Sequence, residues 1–244
     1  MKLKKIASLA LAGVMAVSMM SACGNTVNNG GASSGNNTGE TSGYSAMLGK
    51  YMEETSKMDY VTFQDNSADA AALKTALGNF GSLTIAGGSV LPYVVDLSGP
   101  NKNLGDSLGI TKVKTDLVKA LNLVNCGGKD KDDLVTNELG FENNTNVNAN
   151  IVQKTGALFA VDSTINMENV MDQIANGGVP NGVINGLDGI LKDMPDEGVV
   201  DKQTFQYKYT VSASVVSLSQ TSIEGLSGSC NFILVTVTRT PSIA

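Results

Sequence analysis

The chain has 244 residues, a formal charge of −6 from 17 basic and 23 acidic side chains, no histidine and no tryptophan. Without histidine it cannot run a Ser-His-Asp or Cys-His relay or build a histidine-containing zinc or haem site. Arg239 is the only arginine, so no guanidinium cluster can grip phosphates or base edges, and an acidic chain gains nothing from counterion release; nucleic acid is excluded as a partner.

Residues 1–22 read as an export signal. Lys2, Lys4 and Lys5 give a positive start, an uncharged apolar run follows from Ile6 to Met20, and Ser21 and Ala22 are small. The run is short for a spanning helix, which needs ~20 apolar residues, and a polar Gly/Asn/Ser stretch follows it directly. Met20-Ser21-Ala22-Cys23-Gly24 resembles the lipobox of bacterial lipoproteins, with Met20 where leucine is commonest. The resemblance covers about a tenth of the chain. It implies that Cys23 receives a diacylglycerol thioether, becomes the mature N-terminus and places the protein on the bacterial cell membrane, facing outside the cytoplasm. It implies nothing about activity. An anchor of two or more acyl chains holds stably where one does not, at ~0.8 kcal/mol per buried CH₂.

Cleavage before Cys23 would remove three lysines and no acid, leaving 14 basic against 23 acidic side chains and a charge of −9. Lipid, not a basic patch, would then do the anchoring. Residues 24–43 carry Val27 and Ala32 as their only apolar side chains. They are expected to form a disordered tether, with a root-mean-square reach of ~25 Å. Asn36-Asn37-Thr38 and Asn143-Asn144-Thr145 match the N-glycosylation pattern by chance. The expected organisation is a signal over 1–22, a lipidated tether over 23–44 and one folded domain over 45–244. About 200 residues suffice for one core with ~70% of the chain's surface buried.

Within that domain the pattern is α+β, with several short helices in the first two-thirds and a long C-terminal antiparallel strand pair. Residues 45–58 place Leu48, Tyr51, Met52, Thr55 and Met58 at helical spacing. Ser67 can cap a second helix, with Asp69 in its first turn, Ala70, Leu73, Leu77 and Phe80 on one face, and Gly81 as its stop. Residues 82–86 and 92–97 read as short strands around Gly87-Gly88. Residues 111–125 predict a helix with Val113, Leu117, Leu121 and Val124 in line, closed by Gly127-Gly128. Residues 130–138 predict another short helix, and 141–150 a polar loop.

Residues 156–162 predict a buried strand, and 166–175 a helix with Met167, Val170, Met171 and Ile174 inward, stopped at Asn176-Gly177-Gly178. Residues 180–194 carry helical spacing weakened by Gly186 and Gly189. From Phe205 to Val215 apolar and polar side chains alternate, which predicts a long half-buried strand. Residues 230–240 predict a second, central strand, paired with the first through a loop over 219–229.

Few residues carry a chemical signal. Beyond Cys23, two cysteines remain, Cys126 and Cys230. An exported chain can join them in a disulfide or keep two buried thiols, and both readings stand. Asp130, Asp132 and Asp133 fail the calcium-loop pattern, since Leu134 and Val135 fall where an oxygen ligand and a glycine belong. They read as a solvated helix start, as do Asp193, Asp196 and Glu197 around Pro195. Gly225-Leu226-Ser227-Gly228-Ser229 misses the nucleophile-elbow pattern, and no Ser-x-x-Lys occurs. Gly87-Gly88 and Gly127-Gly128 lack phosphate-loop spacing. Tyr207 and Tyr209 share a strand face with Phe205 and read as core. No metal site or cofactor is expected.

Three readings follow. The first is a membrane-anchored, non-enzymatic binding or structural module with a protein or small-molecule partner; an exposed apolar patch would support it. The second is a histidine-independent hydrolase, which needs paired Asp/Glu side chains converging in a cleft. The third is a small solute-binding component of a transporter, which needs two similar lobes.

Overall fold

The computed structural model describes residues 43–78, 84–85, 94–98, 108–123, 150–177, 186–223 and 226–244, all within one compact unit. The fold is α+β. Helix α1 spans Tyr44–Tyr51, α2 Ser67–Gly78, α3 Leu108–Leu121, α4 Met167–Asn176 and α5 Leu187–Leu191. The strands are β1 Val61–Phe63, β2 Thr84–Ile85, β3 Val95–Asp96, β4 Gln153–Asp162, β5 Glu197–Val200, β6 Gln203–Ile223 and β7 Leu226–Ile243. Expectations for Phe80, Gly81, Gly87-Gly88, Val124, Cys126, Gly127-Gly128 and residues 130–138, 141–149 and 178–185 lie outside the described residues, as do those for Cys23 and the tether up to residue 42.

Among the described residues the seven strands form one mixed sheet with the path β1-β6-β7-β4-β3. The ladder between β6 and β7 is its spine. It runs antiparallel from Phe205↔Ile243 to Ile223↔Leu226, with a bulge between Ser219 and Thr221. The described residues of the expected loop over 219–229 are therefore strand. Ser, Thr and Gly side chains there gave a loop-like composition, but each strand supplies the other's backbone partners whatever its side chains. The far edge of β6 is served in relay. β5 pairs with its start, β1 runs parallel to Tyr209, Thr210 and Val211, and β2 pairs with Ser222 and Ile223.

Register assigns the two faces. Tyr209, Val211, Ala213, Val235, Val237 and Phe159 lie on one face, while Ser212, Thr236, Leu234, Phe232, Lys154 and Gly156 lie on the other. Helices cover both. On the Tyr209 face α1 lays Gly49 against the Phe63 ring; a Cβ at Gly49 would sit 2.7 Å from that ring. Helix α4 packs on α1, and α5 on α4. On the Thr236 face α2 meets β6 and β7, and α3 packs on α2. Phe232, Ile233, Leu234 and Val235 are consecutive and all fully buried, which requires cover on both sides because successive strand residues point to opposite faces. β7 is thus central, as its apolar pattern predicts. β6 departs from the half-buried reading, because Ser212 and Ser214 are buried beneath the helices as well.

Local chemistry sets the helix ends. The 45–58 periodicity divides: α1 stops at Tyr51, Met52 leaves helical geometry, and a 3-10 turn follows over Thr55–Lys57. Asp65, in the loop after β1, accepts the N–H groups of Gly43 and Ser45 and so satisfies two orphan donors of α1. Asn66, one residue before the expected cap, holds α2 through its side chain, which accepts from Ala68 N–H at 3.0 Å. The inward face of α2 is Asp69, Leu73, Ala76 and Leu77, with Ala70 at its rim. Helix α3 ends at Leu121 rather than at the glycine pair. Asn122 takes φ 50° and Leu123 N–H returns to Val118 C=O at 3.0 Å, the six-to-one closure of a Schellman turn. Asn166 caps α4 by accepting Glu168 N–H at 2.8 Å. The helix expected over 180–194 is five described residues, entered from Gly186 in an extended conformation. A Cβ at Gly186 would meet Ala175 O at 2.3 Å, so only glycine fits where α5 turns onto α4.

Two details concern the end of the sheet where β7 finishes. β5 and β6 join through Asp201 and Lys202, with φ 49° and 68°, the paired left-handed conformation of a type I′ hairpin turn. β7 continues past Thr240 through Pro241. Tyr207 and Tyr209 donate their N–H groups away from β7, to Asp196 and Tyr60 carbonyls. Their partners Pro241 and Arg239 therefore face away from β6 in turn. The missing N–H of Pro241 falls on the side that β6 does not use, which is where proline is tolerated in a strand.

Candidate functional site

Three constellations hold polar or exposed groups that the core alone does not explain. The first is an aromatic cluster around the lone arginine. Arg239 on β7 pairs with Gln153 of β4 and Tyr209 of β6. Its guanidinium lies 4.7 Å from the centroid of the Tyr207 ring, within range of a cation–π contact. It also donates to Gln153 Oε1. Tyr209 donates its hydroxyl to Pro195 C=O at 2.7 Å, and Tyr60 does the same to Met194 C=O at 2.8 Å. Burial pushes the Tyr209 phenol above its ordinary value, and the Arg239 charge pulls against that. Burial also raises Tyr60, with Asp196 and Asp59 adding to it. Tyr207 and Tyr209 are core residues, as their shared strand face predicts. The Tyr209 and Tyr60 hydroxyls fix the turn at Met194 and Pro195, so Asp196 and Glu197 stand exposed beside a braced segment.

The second is a buried ion pair. Asp69 of α2 is fully buried; Lys154 Nζ on β4 donates to its Oδ1, and Thr236 Oγ1 on β7 donates to its Oδ2 at 2.6 Å. Asp188 is also buried. It accepts Glu54 N–H at 3.0 Å and Thr55 N–H at 2.8 Å, and so ties α5 to the 3-10 turn. The two carboxylates serve different helices, and each has both oxygens engaged. Sequence reading placed Asp69 only in a helix first turn and did not single out Lys154, Thr236 or Asp188. Helical spacing carries the missing signal, since Asp69, Leu73, Ala76 and Leu77 follow one stripe.

The third is exposed. Ile151, Val152, Val199 and Ile243 are 47%, 60%, 59% and 72% accessible. All four stand on segments at the end of the sheet where β7 finishes, Val199 on the face opposite Ile243 because their β6 partners Thr204 and Phe205 are successive residues. Ile151 and Val152 immediately precede β4, whose first residue Gln153 pairs with Arg239. Ile243 pairs with Phe205, and Val199 with Thr204, the neighbouring residue of β6. Pro241 and Phe205, on the strands at the same end, are half-buried.

The remaining sequence candidates separate. Cys230 is buried on β7, paired in register with Asp162 and Leu218, and Cys126 lies outside the described residues. Among the described residues no three His, Cys, Asp or Glu side chains gather to hold a metal ion, and no helix is long and apolar enough to cross a membrane. No family model matches the chain, and comparisons with curated proteins and with solved structures return no match.

Proposed function

We propose that this chain is an extracytoplasmic bacterial lipoprotein, held on the membrane through lipid on Cys23, whose folded domain is a non-enzymatic interaction module of the cell envelope. The observation that carries the reading is that four large apolar side chains, Ile151, Val152, Val199 and Ile243, are exposed at one end of the sheet. Single exposed apolar side chains are ordinary, but several at one end of a domain point to a contact surface. The partner is a protein, since exposed aliphatic side chains offer apolar contact. The buried carboxylates Asp69 and Asp188 are each committed to structural partners, which weighs against paired-carboxylate hydrolysis.

The test uses the full chain in its native host. A photo-crosslinking residue placed at Val199 or Ile243 is expected to give a discrete protein adduct, while one at exposed Thr75 on α2 gives none. Equal labelling from all three positions, or none from any, would overturn the interaction reading. Separately, Cys23→Ala is expected to release the protein from the membrane and to end labelling by a lipid precursor; retention with unchanged labelling would overturn the anchor.

A further inference from the structure

Lys154 and Asp69 come together in a setting suited to a reaction between them. Both backbones are fixed, Lys154 by the β4–β7 ladder and Asp69 by the first turn of α2. Lys154 Nζ already donates to Asp69 Oδ1, one bond from Cγ, and Thr236 Oγ1 donates to Oδ2 at 2.6 Å. Asp69 and Thr236 are buried and the Lys154 side chain is 15% exposed. A buried ion pair bears the desolvation of two charges, whereas an amide bears none.

We propose that Lys154 and Asp69 condense within the folded chain to an isopeptide bond. One proton crosses the Nζ–H···Oδ1 hydrogen bond and converts ammonium and carboxylate to amine and carboxylic acid. The Nζ lone pair attacks Cγ, forming the C–N bond, and negative charge gathers on Oδ2. Thr236 Oγ1–H stabilises that charge as an oxyanion donor. A proton from Nζ passes to the hydroxyl on Cγ, the C–O bond breaks, and Oδ1 leaves as water. The products are one secondary amide and one water, so no oxidant, cofactor or activated co-substrate is required. Holding the two groups in contact supplies the orientation that a bimolecular condensation lacks. Ser212 pairs with Thr236 on the same face; it is buried, and its hydroxyl has no hydrogen-bond partner among the described residues. It offers the departing water a binding place. The bond closes a loop between positions 85 residues apart and pins α2 to the centre of the sheet.

The test is a tryptic digest of the full chain, purified from its host membrane and denatured. Cleavage follows lysine, and acylated Lys154 is not cut. The expected product is peptide 58–74 joined to peptide 132–192, lighter than their sum by one water, with no free 132–154. Free 58–74 and 132–154 at their sequence masses would overturn the proposal and leave a buried ion pair. Lys154→Arg keeps the charge and the cleavage site and is expected to give only separate peptides. Thr236→Val keeps the shape and removes the donor; the joined peptide is expected to form on the order of 10²-fold more slowly. An unchanged rate would remove Thr236 from the reaction.

Discussion

The Ser45 hydroxyl accepts the backbone N–H of Ala213 at 2.9 Å, and both residues are buried. A helix side chain thereby takes the place of a strand. β1 serves the edge of β6 as far as Gln64 N–H, which donates to Val211 C=O, and Ser45 satisfies the next outward donor. Ser98 does the same on the opposite edge, where its hydroxyl accepts Leu158 N–H at 2.8 Å and donates to Leu158 C=O at 3.2 Å. The sheet is thus finished at both margins by serines. Ser45→Ala and Ser98→Ala each orphan a buried N–H and are expected to destabilise by ~1–3 kcal/mol. The sites share no partner, so the double variant should lose the sum in urea unfolding.

Gly49→Ala tests the contact between α1 and Phe63. In an exposed helix interior this change stabilises by up to ~1 kcal/mol. Here the new methyl would lie 2.7 Å from the Phe63 ring, so overpacking reverses the sign and a loss of ~1–3 kcal/mol is expected. A rise in Tm would show that the ring moves aside at no cost.

Lys202→Gly tests the β5–β6 turn in the other direction. Lys202 is exposed with φ 68°, and a side chain in the left-handed region costs ~1–2 kcal/mol relative to glycine. The variant is expected to unfold at higher urea concentration with an unchanged m-value.

Asp96 gives the protein a pH dependence. Burial raises its carboxyl above the ordinary value of 3.8, against the Ser98 hydrogen bonds and the Lys114 charge that oppose it. The folded state therefore holds this proton more tightly than the unfolded state. Its contribution is fully present below the ordinary value and is lost as pH rises through the raised one. Asp96→Asn keeps an acceptor for Ser98 N–H, which now donates to Oδ1 at 2.8 Å. It is expected to be the more stable form at pH 7, with the difference closing as pH falls towards 4 in paired denaturation curves.

Val199→Asp and Ile243→Asp separate contact from stability. Both side chains are exposed, so stability should stay within ~0.5 kcal/mol of the parent. The adduct captured from the unchanged neighbouring position is expected to disappear. An intact adduct alongside a normal melt would move the contact surface elsewhere.

The strand pair was the most legible part of the fold. From Phe205 to Val215 a period of two survives with little interruption, and the apolar run of 230–237 belongs to a strand covered on both faces. The ends were less legible, because Ser217, Ser219, Gly228 and Ser229 carry loop-like side chains while their partners lie in the other strand. Helix ends set by distant groups could not be read locally. Asp65 serves α1 from 20 or more positions away, and Asp188 serves the 3-10 turn from 133 and 134 away. The buried polar centre was hidden for the same reason. Asp69, Lys154 and Thr236 come from α2, β4 and β7, and no local spacing links them. The exposed apolar residues are likewise brought to one end of the sheet by register, since the start of β4 meets β7 at Arg239 and Ile243 meets β6 at Phe205.

Pro241 has a consequence for how copies of this protein coexist. Past Gln153 the outer margin of β7 has no neighbouring strand among the described residues, and exposed Ile243 sits on it. Such a margin would ordinarily template the addition of another chain, growing into ribbons. Pro241 withholds one N–H from that margin and puts its ring in the way. The exposed apolar residues can then meet a partner through side chains while self-templated growth by backbone pairing is refused. Replacing that one ring with an ordinary residue would convert a selective contact surface into a nucleus for aggregation.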